Sequence, residues 1–130
     1  MTNHEISYHI RGAAMEVYNT LGPGLLESVY HKALVRELKD RGLDVKSEVP
    51  VEVYYKGDLI EEDALRLDIV VENRVVLELK SVETLLPIHF KQLRTYLRLY
   101  NKDLGWLINF GAYDFSEGLC SVKLGKEDRI

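Results

Sequence analysis

An aspartate, a glutamate and a lysine lie at regular positions in a mostly apolar stretch of the chain. Residues 65–82 form two runs rich in valine, isoleucine and leucine, separated by a short polar break at residues 72–74. Both runs alternate with a period of two, which predicts a β-hairpin rather than a helix. Asp68 lies in the first run, and Glu78 and Lys80 lie in the second. Two carboxylates and an amine on neighbouring strands could hold a divalent cation and act on a phosphate ester.

The length of the hairpin loop decides whether these side chains meet, because a one-residue slip turns every side chain to the other face. A three-residue turn at 72–74 places Asp68 opposite Glu78 and Arg66 opposite Lys80, and leaves the purely apolar positions together on the other face. A two-residue turn would instead bury the Asp68 carboxylate without a partner, at a cost of several kcal/mol or more. We therefore predict the three-residue turn.

The predicted carboxylate pair carries a penalty, since like charges directly opposite on a sheet repel. Mg²⁺ is one compensating cation, because it binds one or two protein carboxylates and completes its octahedron with water and substrate phosphate. Alternation alone also allows a solvated strand face. In that interpretation Arg66, Asp68, Glu78 and Lys80 neutralise one another and have no further function.

The composition is that of a globular protein. The 130 residues suit a single domain, 1–130, with 46% hydrophobic and 29% charged residues. No apolar run approaches the ~20 residues that span a bilayer, and the first residues lack a basic region followed by an apolar one. Cys120 is the only cysteine, which excludes an internal disulfide and a cysteine-rich zinc site. We expect a cytoplasmic protein with no membrane association.

The net charge limits the kind of partner. A formal charge of −4 and a pI near 5.6 argue against a general polyanion binder. Any contact with nucleic acid must then come from a local basic patch or from a bound metal.

The periodicity of the hydrophobic residues and the positions of glycine and proline along the chain predict an α/β fold. The predicted helices cover residues 3–21, 25–41 and about 84–100; the predicted strands cover 43–55, 59–60, the two runs of the hairpin, 104–110 and 119–124, with an acidic loop at 61–63. The strand after the third helix is expected to run parallel to the Glu78 strand. The order helix, helix, antiparallel meander, helix, strand, strand predicts a mixed β-sheet flanked by helices.

Two of the predicted helices carry polar residues that could serve a site. Glu27, in the first turn of the second helix, could simply complement the helix dipole. The third helix carries a basic stripe on one face, made of Lys91, Arg94, Arg98 and Lys102. Such a stripe is usually a solvated face, but in this acidic chain it is the one surface able to collect phosphates. Gln92 and Tyr96 lie one turn apart beside it.

The order of these features resembles the core of the PD-(D/E)XK nuclease superfamily. Asp68, nine intervening residues, and then Glu78-Leu79-Lys80 lie on a hairpin, after an acid-bearing helix and before a helix and a parallel strand. Leu67 replaces the proline of the superfamily's name, a position that varies widely. The resemblance implies a restriction-endonuclease-like fold for the mixed sheet and its helices.

The second helix resembles one particular branch of this superfamily. Gly24, Glu27 and Tyr30 match the signature of the bacterial GxxExxY proteins, a branch of that superfamily, in the segment Gly-Leu-Leu-Glu-Ser-Val-Tyr. Other segments fit the same pattern, and they are residues 22–24, 53–57, 92–97 and 107–111. The resemblance therefore covers nearly the whole chain.

The resemblance implies a role for each matching residue. The implied ligands of Mg²⁺ or Mn²⁺ are Asp68, Glu78, the backbone carbonyl of Leu79 and, directly or through water, Glu27. Lys80 would orient the attacking water or stabilise the charged transition state. Gln92 would position water or a phosphate, and Tyr30 would fix Glu27 by packing.

The activity implied by this resemblance is hydrolysis of phosphodiester bonds in nucleic acid, with DNA as the expected substrate. The basic stripe of the third helix would then contact the nucleic acid. The competing hypothesis is a catalytically silent module that uses the same fold to bind nucleic acid or a protein partner, since a fold alone does not settle activity. Hydrolysis of a small phosphorylated metabolite lacks a phosphate-cradling loop to support it. A homodimer or a protein partner is the expected source of any sequence specificity.

Overall fold

The structure is a computed structural model that describes residues 1–125. It contains three α-helices, five strands and one short 3₁₀ helix over these residues. In chain order they are α1 (Asn3–Leu21), α2 (Glu27–Asp40), β1 (Val45–Tyr55), β2 (Asp58–Val71), β3 (Val75–Lys80), α3 (Pro87–Tyr100), β4 (Leu104–Asn109), the 3₁₀ helix (Phe115–Gly118) and β5 (Leu119–Lys123).

The five strands form one mixed sheet in the order β1-β2-β3-β4-β5. β3 and β4 are parallel, and every other neighbouring pair is antiparallel. α3 connects the two parallel strands, as the crossover length predicts. The predicted α/β class, a mixed sheet flanked by helices in a restriction-endonuclease-like arrangement, is confirmed.

Helices cover both faces of the sheet. One hydrophobic cluster lies between the sheet and the two N-terminal helices, and its members include Ile10, Leu34, Leu38, Leu77 and Phe110. A second cluster lies between α3 and the opposite face, and its members include Leu93, Leu97, Val76 and Leu107. The central strands are therefore buried on both faces, which suits their nearly continuous apolar sequences.

The predicted hairpin register is confirmed. Val71 pairs with Val75 and Ile69 with Leu77, so the connection between β2 and β3 is the three-residue turn 72–74. The chain reverses through two positive φ angles, 53° at residue 72 and 52° at residue 73. The ladder ends at Ile69 and Leu77, so the expected backbone pairs of Asp68 with Glu78 and of Arg66 with Lys80 do not form.

The apolar residues of β2 do not share one face, which corrects the sequence-based expectation. Ile69 and Val71 pack in the cluster of α1 and α2, whereas Leu65 and Leu67 pack beside α3. Strict alternation therefore fails between Leu67 and Ile69. The cause lies in the neighbouring strand, where Glu48 has a φ of 55° and interrupts the regular pleat opposite this point.

The acidic segment at 61–63 is not a loop, so this prediction was wrong. β2 runs without a break from residue 58 to residue 71, and Glu61 pairs with Val53 of β1. The acidic side chains stay solvated, as expected, because this part of the strand is exposed. Backbone pairing with β1 forms the strand here without help from a buried face.

Within residues 1–125, no helix has both the length and the apolar character needed to cross a membrane.

Candidate active site

Two carboxylates meet where the backbone pairing of β2 and β3 ends. The backbone N–H of Asp68 donates a 3.2 Å hydrogen bond to Oε1 of Glu78. The backbone N–H of Leu79 donates a 2.8 Å hydrogen bond to Oδ2 of Asp68. Each acid therefore bonds the backbone of the other strand, and these bonds continue the hairpin beyond its last pair, Ile69 and Leu77. The structure brings Asp68 and Glu78 together, as the three-residue turn predicts.

Burial and mutual repulsion make these carboxylates hard to ionise. Glu78 is 6% exposed, and burial, followed by the charge of Asp68, raises its pKa to about 8. Burial also raises the pKa of Asp68, against the opposing effects of the Leu79 N–H and of His31. The pair therefore forms a desolvated, acidic point that favours a cation.

Lys80 and α3 lie on one side of the carboxylate pair. The Lys80 Nζ lies 3.5 Å from Oε1 of Gln92, at the limit of a hydrogen bond. Burial raises the pKa of the Tyr96 hydroxyl, and the charges of Glu78 and Asp68 raise it further. The structure therefore places Gln92 and Tyr96 beside the carboxylate pair, on the flank of α3 that faces β3.

Glu27 approaches the pair from the other helix layer. It is the first residue of α2, and partial burial and then the charge of Asp68 raise its pKa. Lys80 acts in the opposite direction on the same carboxyl. The three carboxylates of Glu27, Asp68 and Glu78 thus share one electrostatic environment.

Tyr30 holds the loop that leads into Glu27. Its hydroxyl donates a 2.5 Å hydrogen bond to the carbonyl oxygen of Gly22 and accepts a 3.1 Å hydrogen bond from the backbone N–H of Leu25. Its ring is fully buried and stacks on Phe110 at a centroid distance of 4.4 Å. Gly24, within the loop, has a φ of 95°, which favours glycine. Tyr30 and Gly24 are placed where they would fix the start of α2.

Two residues beside the pair were missed by sequence reasoning. Glu48 of β1 raises the pKa of Asp68 through its charge, so a fourth carboxylate lies near the site. His31 forms a hydrogen bond between Nε2 and Oγ of Ser47, and its charge lowers the pKa of both Asp68 and Glu27. The spacing of four residues between Glu27 and His31 on one helix face could have indicated His31. No comparable signal marks Glu48.

The basic stripe does not join the carboxylates. The stripe comprises Lys91, Arg94, Arg98 and Lys102. Arg94 donates a 3.3 Å hydrogen bond to the backbone oxygen of Lys123 in β5, whereas Gln92 reaches Lys80 in β3. The stripe thus lies on the β5 side of α3, opposite the flank that borders the site. Lys102 lies beyond the end of the helix.

The donor set fits a magnesium-like ion that depends on water and substrate for part of its shell. Among residues 1–125, no three His, Cys, Asp or Glu side chains converge closely enough to hold a metal on their own. Asp68 and Glu78 each use one oxygen for a backbone N–H, and the second oxygen of each makes no hydrogen bond within the same part of the chain. Two carboxylates with water and phosphate are the usual protein environment of Mg²⁺.

The fold and this acidic point define the class of the protein. A mixed sheet with a parallel β3–β4 pair, flanked by helices, carries two acids and a lysine at the end of its central hairpin. A family model described as the PD-(D/E)XK nuclease superfamily matches residues 4–122. The chain belongs to this superfamily, whose members typically use a divalent metal. No curated protein matches the chain, and neither does any solved structure.

Proposed function

We propose that the chain is a metal-dependent nuclease of the GxxExxY branch, which hydrolyses phosphodiester bonds of nucleic acid, with DNA as the expected substrate. The observation that carries the proposal is the exchange of hydrogen bonds at the end of the hairpin. Because each acid bonds the backbone of the opposite strand, Asp68 and Glu78 are held together before any ligand arrives. Superfamily membership supports a nucleic-acid substrate.

The assignment to the GxxExxY branch is supported by a physical role for each motif residue. Gly24 adopts a positive φ in the loop before α2. Glu27 begins α2 beside Asp68, and Tyr30 ties the loop to the core through its hydroxyl and its stacked ring. The three residues together would deliver one carboxylate to the site.

The residues that would hold Mg²⁺ or Mn²⁺ are Asp68, Glu78 and the backbone carbonyl of Leu79, with Glu27 directly or through water. When bound, the ion supplies a Lewis acid for the phosphate and lowers the pKa of its water. The chain's own part is to hold both carboxylates in place and to oppose in part the rise in pKa that burial causes. The N–H groups of Asp68 and Leu79 do this by donating to the oxygens that face the backbone.

Lys80 and Gln92 would act on the reacting groups. The Lys80 ammonium is a compact charge with three donors, so it would orient the attacking water and stabilise negative charge that develops on the phosphate. The amide oxygen of Gln92 faces Lys80 Nζ and would fix the direction of the lysine. Lys91, Arg94, Arg98 and Lys102 stay predicted nucleic-acid contacts, but their side of α3 gives no support for contact at the scissile bond.

The proposal is tested by incubating the pure protein with single- and double-stranded DNA and RNA in Mg²⁺, Mn²⁺ or EDTA. We expect cleavage that requires the metal and is lost in Glu78→Gln and in Lys80→Ala. Glu16→Gln is the matched control, because Glu16 is an exposed acid of α1 outside the site. This variant should cleave like the wild type.

Other outcomes separate the alternatives. Equal cleavage in EDTA, or in the two site variants, would assign the activity to a contaminant. Absence of cleavage together with tight binding of an oligonucleotide would reject the nuclease and favour the silent binding module.

A further inference from the structure

The hairpin of β1 and β2 extends beyond the body of the protein as an arm, defined here as residues 52–65. The hydrophobic clusters end at Val51 on β1 and at Leu65 on β2. The arm contains four residues of β1 (52–55) and eight residues of β2 (58–65). The shorter strand limits its projection to about 13 Å. Within residues 1–125, no strand neighbours the outer edges of the arm, since β1 is the edge of the sheet and β3 pairs only with the inner end of β2.

The arm exposes large apolar side chains that the body of the protein does not cover. They are Tyr54, Tyr55, Leu59 and Ile60, with 58%, 63%, 42% and 60% of their surface exposed. None belongs to either hydrophobic cluster of the described residues. A lone two-stranded hairpin is marginally stable in water, and a concentration of exposed apolar side chains marks an interaction surface. The arm therefore offers an apolar surface to a partner.

The charge of the arm defines the chemistry of that partner. Residues 52–65 contain five acidic side chains and one lysine, a net charge of −4. This equals the formal charge of the whole chain, so the rest of the molecule is balanced. Such an arm repels the phosphates of nucleic acid. Its complement is a basic surface with an apolar component.

The chain carries a surface of this kind on α3. The basic stripe follows the β5 side of the helix, away from the carboxylate pair, and Lys91 and Arg98 are exposed within it. Ile88 and Leu99 lie on the same helix, with 61% and 39% of their surface exposed. They add apolar area to this surface of α3. The stripe and the arm therefore match in charge and in composition.

We propose that the chain forms a homodimer in which the acidic arm of one copy docks on the basic stripe of α3 in the second copy. Two-fold symmetry makes the contact reciprocal, so both arms and both stripes are used. Opposite charges steer the two copies together and set the position of the arm on the stripe. The tyrosines and aliphatic side chains of the arm become buried at this contact. Dimerisation through these surfaces needs neither metal nor nuclease activity, and it replaces the predicted nucleic-acid contact of the stripe, because the docked arm would cover it.

The test measures molar mass by analytical ultracentrifugation of the full chain, in wild type and in two charge-reversed variants. The arm variant is Glu52→Lys with Glu61→Lys and Glu62→Lys, which takes the arm from −4 to +2. The stripe variant is Lys91→Glu with Arg98→Glu and Lys102→Glu, which takes the stripe from +4 to −2. We expect a dimeric wild type that dissociates at high salt, because screening weakens exposed charge pairs. Each variant alone should be monomeric, since like charges then face each other at every contact.

Mixing the two variants distinguishes this contact from any other. In a mixed dimer the reversed arm meets the reversed stripe, and the unchanged arm meets the unchanged stripe, so the two monomeric variants should form a dimer together. The matched control is Glu16→Lys with Asp40→Lys and Asp44→Lys, which changes the charge by the same amount as the arm variant on exposed acids of α1, of α2 and of the segment that follows α2, and it should remain dimeric. A monomeric wild type, arm or stripe variants that stay dimeric, or a mixture that stays monomeric would overturn the proposal.

Discussion

Asp68 and Glu78 meet just beyond the last pair of the β2–β3 ladder, where the N–H of Asp68 donates a 3.2 Å hydrogen bond to Oε1 of Glu78. The acids thus replace the next backbone bonds of the hairpin with bonds from their own side chains. Folding therefore buries the two carboxylates next to each other. Burial and mutual repulsion lower the free energy of unfolding when both groups are ionised. The site and the fold are coupled through this one pair.

The stability of the metal-free protein should fall as pH rises. The pKa of Glu78 is raised from 4.5 to about 8 in the folded state, so the folded chain retains a proton that the unfolded chain releases. The stabilising contribution is complete below about pH 4.5 and is lost as pH approaches 8. We expect a loss on the order of 2 kcal/mol between pH 6 and pH 8 from this group. Urea unfolding in EDTA measures it.

Glu78→Gln should flatten this dependence, since the amide does not titrate. Glu16→Gln, a change of an exposed acid in α1, should leave the slope unaltered. A wild-type stability that is constant across this pH range would show that Glu78 is not held in a repulsive, buried environment.

The register of the hairpin was predictable because a single slip would have buried a charge. The alternation of residues 65–82 allowed two loop lengths, and the cost of an unpaired Asp68 in the core selected the three-residue turn. The bounds of α1 were also predictable, since Thr2 and Glu5 form the capping box that begins this helix. Both cases depend on local sequence and on one large energy term.

The parts that escaped prediction depend on contacts between distant segments. The switch of faces between Leu67 and Ile69 arises opposite Glu48, whose positive φ belongs to a different strand. The nearness of Glu48 and His31 to Asp68 likewise needs β1 and α2 in place. The acidic segment 61–63 lacks a buried face, so only its pairing with β1 reveals it as a strand.

Loss of the Tyr30 hydroxyl should destabilise the loop before α2. Tyr30→Phe keeps the stacking on Phe110 but leaves the Gly22 carbonyl and the Leu25 N–H without their partner. We expect a loss of about 1–2 kcal/mol in the free energy of unfolding, measured by urea denaturation. Tyr8→Phe, at a 64% exposed position, should cost nothing measurable. Equal stabilities of the two variants would mean that the hydroxyl does not hold the loop.

The strained backbone at Glu48 can be measured by comparing two substitutions. Glu48→Gly and Glu48→Ala both remove the carboxylate near Asp68, but only glycine adopts a φ of 55° without a steric penalty. We expect the glycine variant to be more stable than the alanine variant by about 1 kcal/mol, as measured by thermal and urea unfolding. An alanine variant of equal or greater stability would place Glu48 in ordinary extended backbone.

The central claim is that Asp68 and Glu78 jointly hold one divalent ion, and Mn²⁺ binding measured by electron paramagnetic resonance tests it most directly. We predict one site per chain in the wild type and at least a ~10-fold loss of affinity in Asp68→Asn and in Glu78→Gln, because each removes a direct ligand. Asp58→Asn, on the exposed arm, should bind like the wild type. Undiminished Mn²⁺ affinity in either site variant would contradict the account.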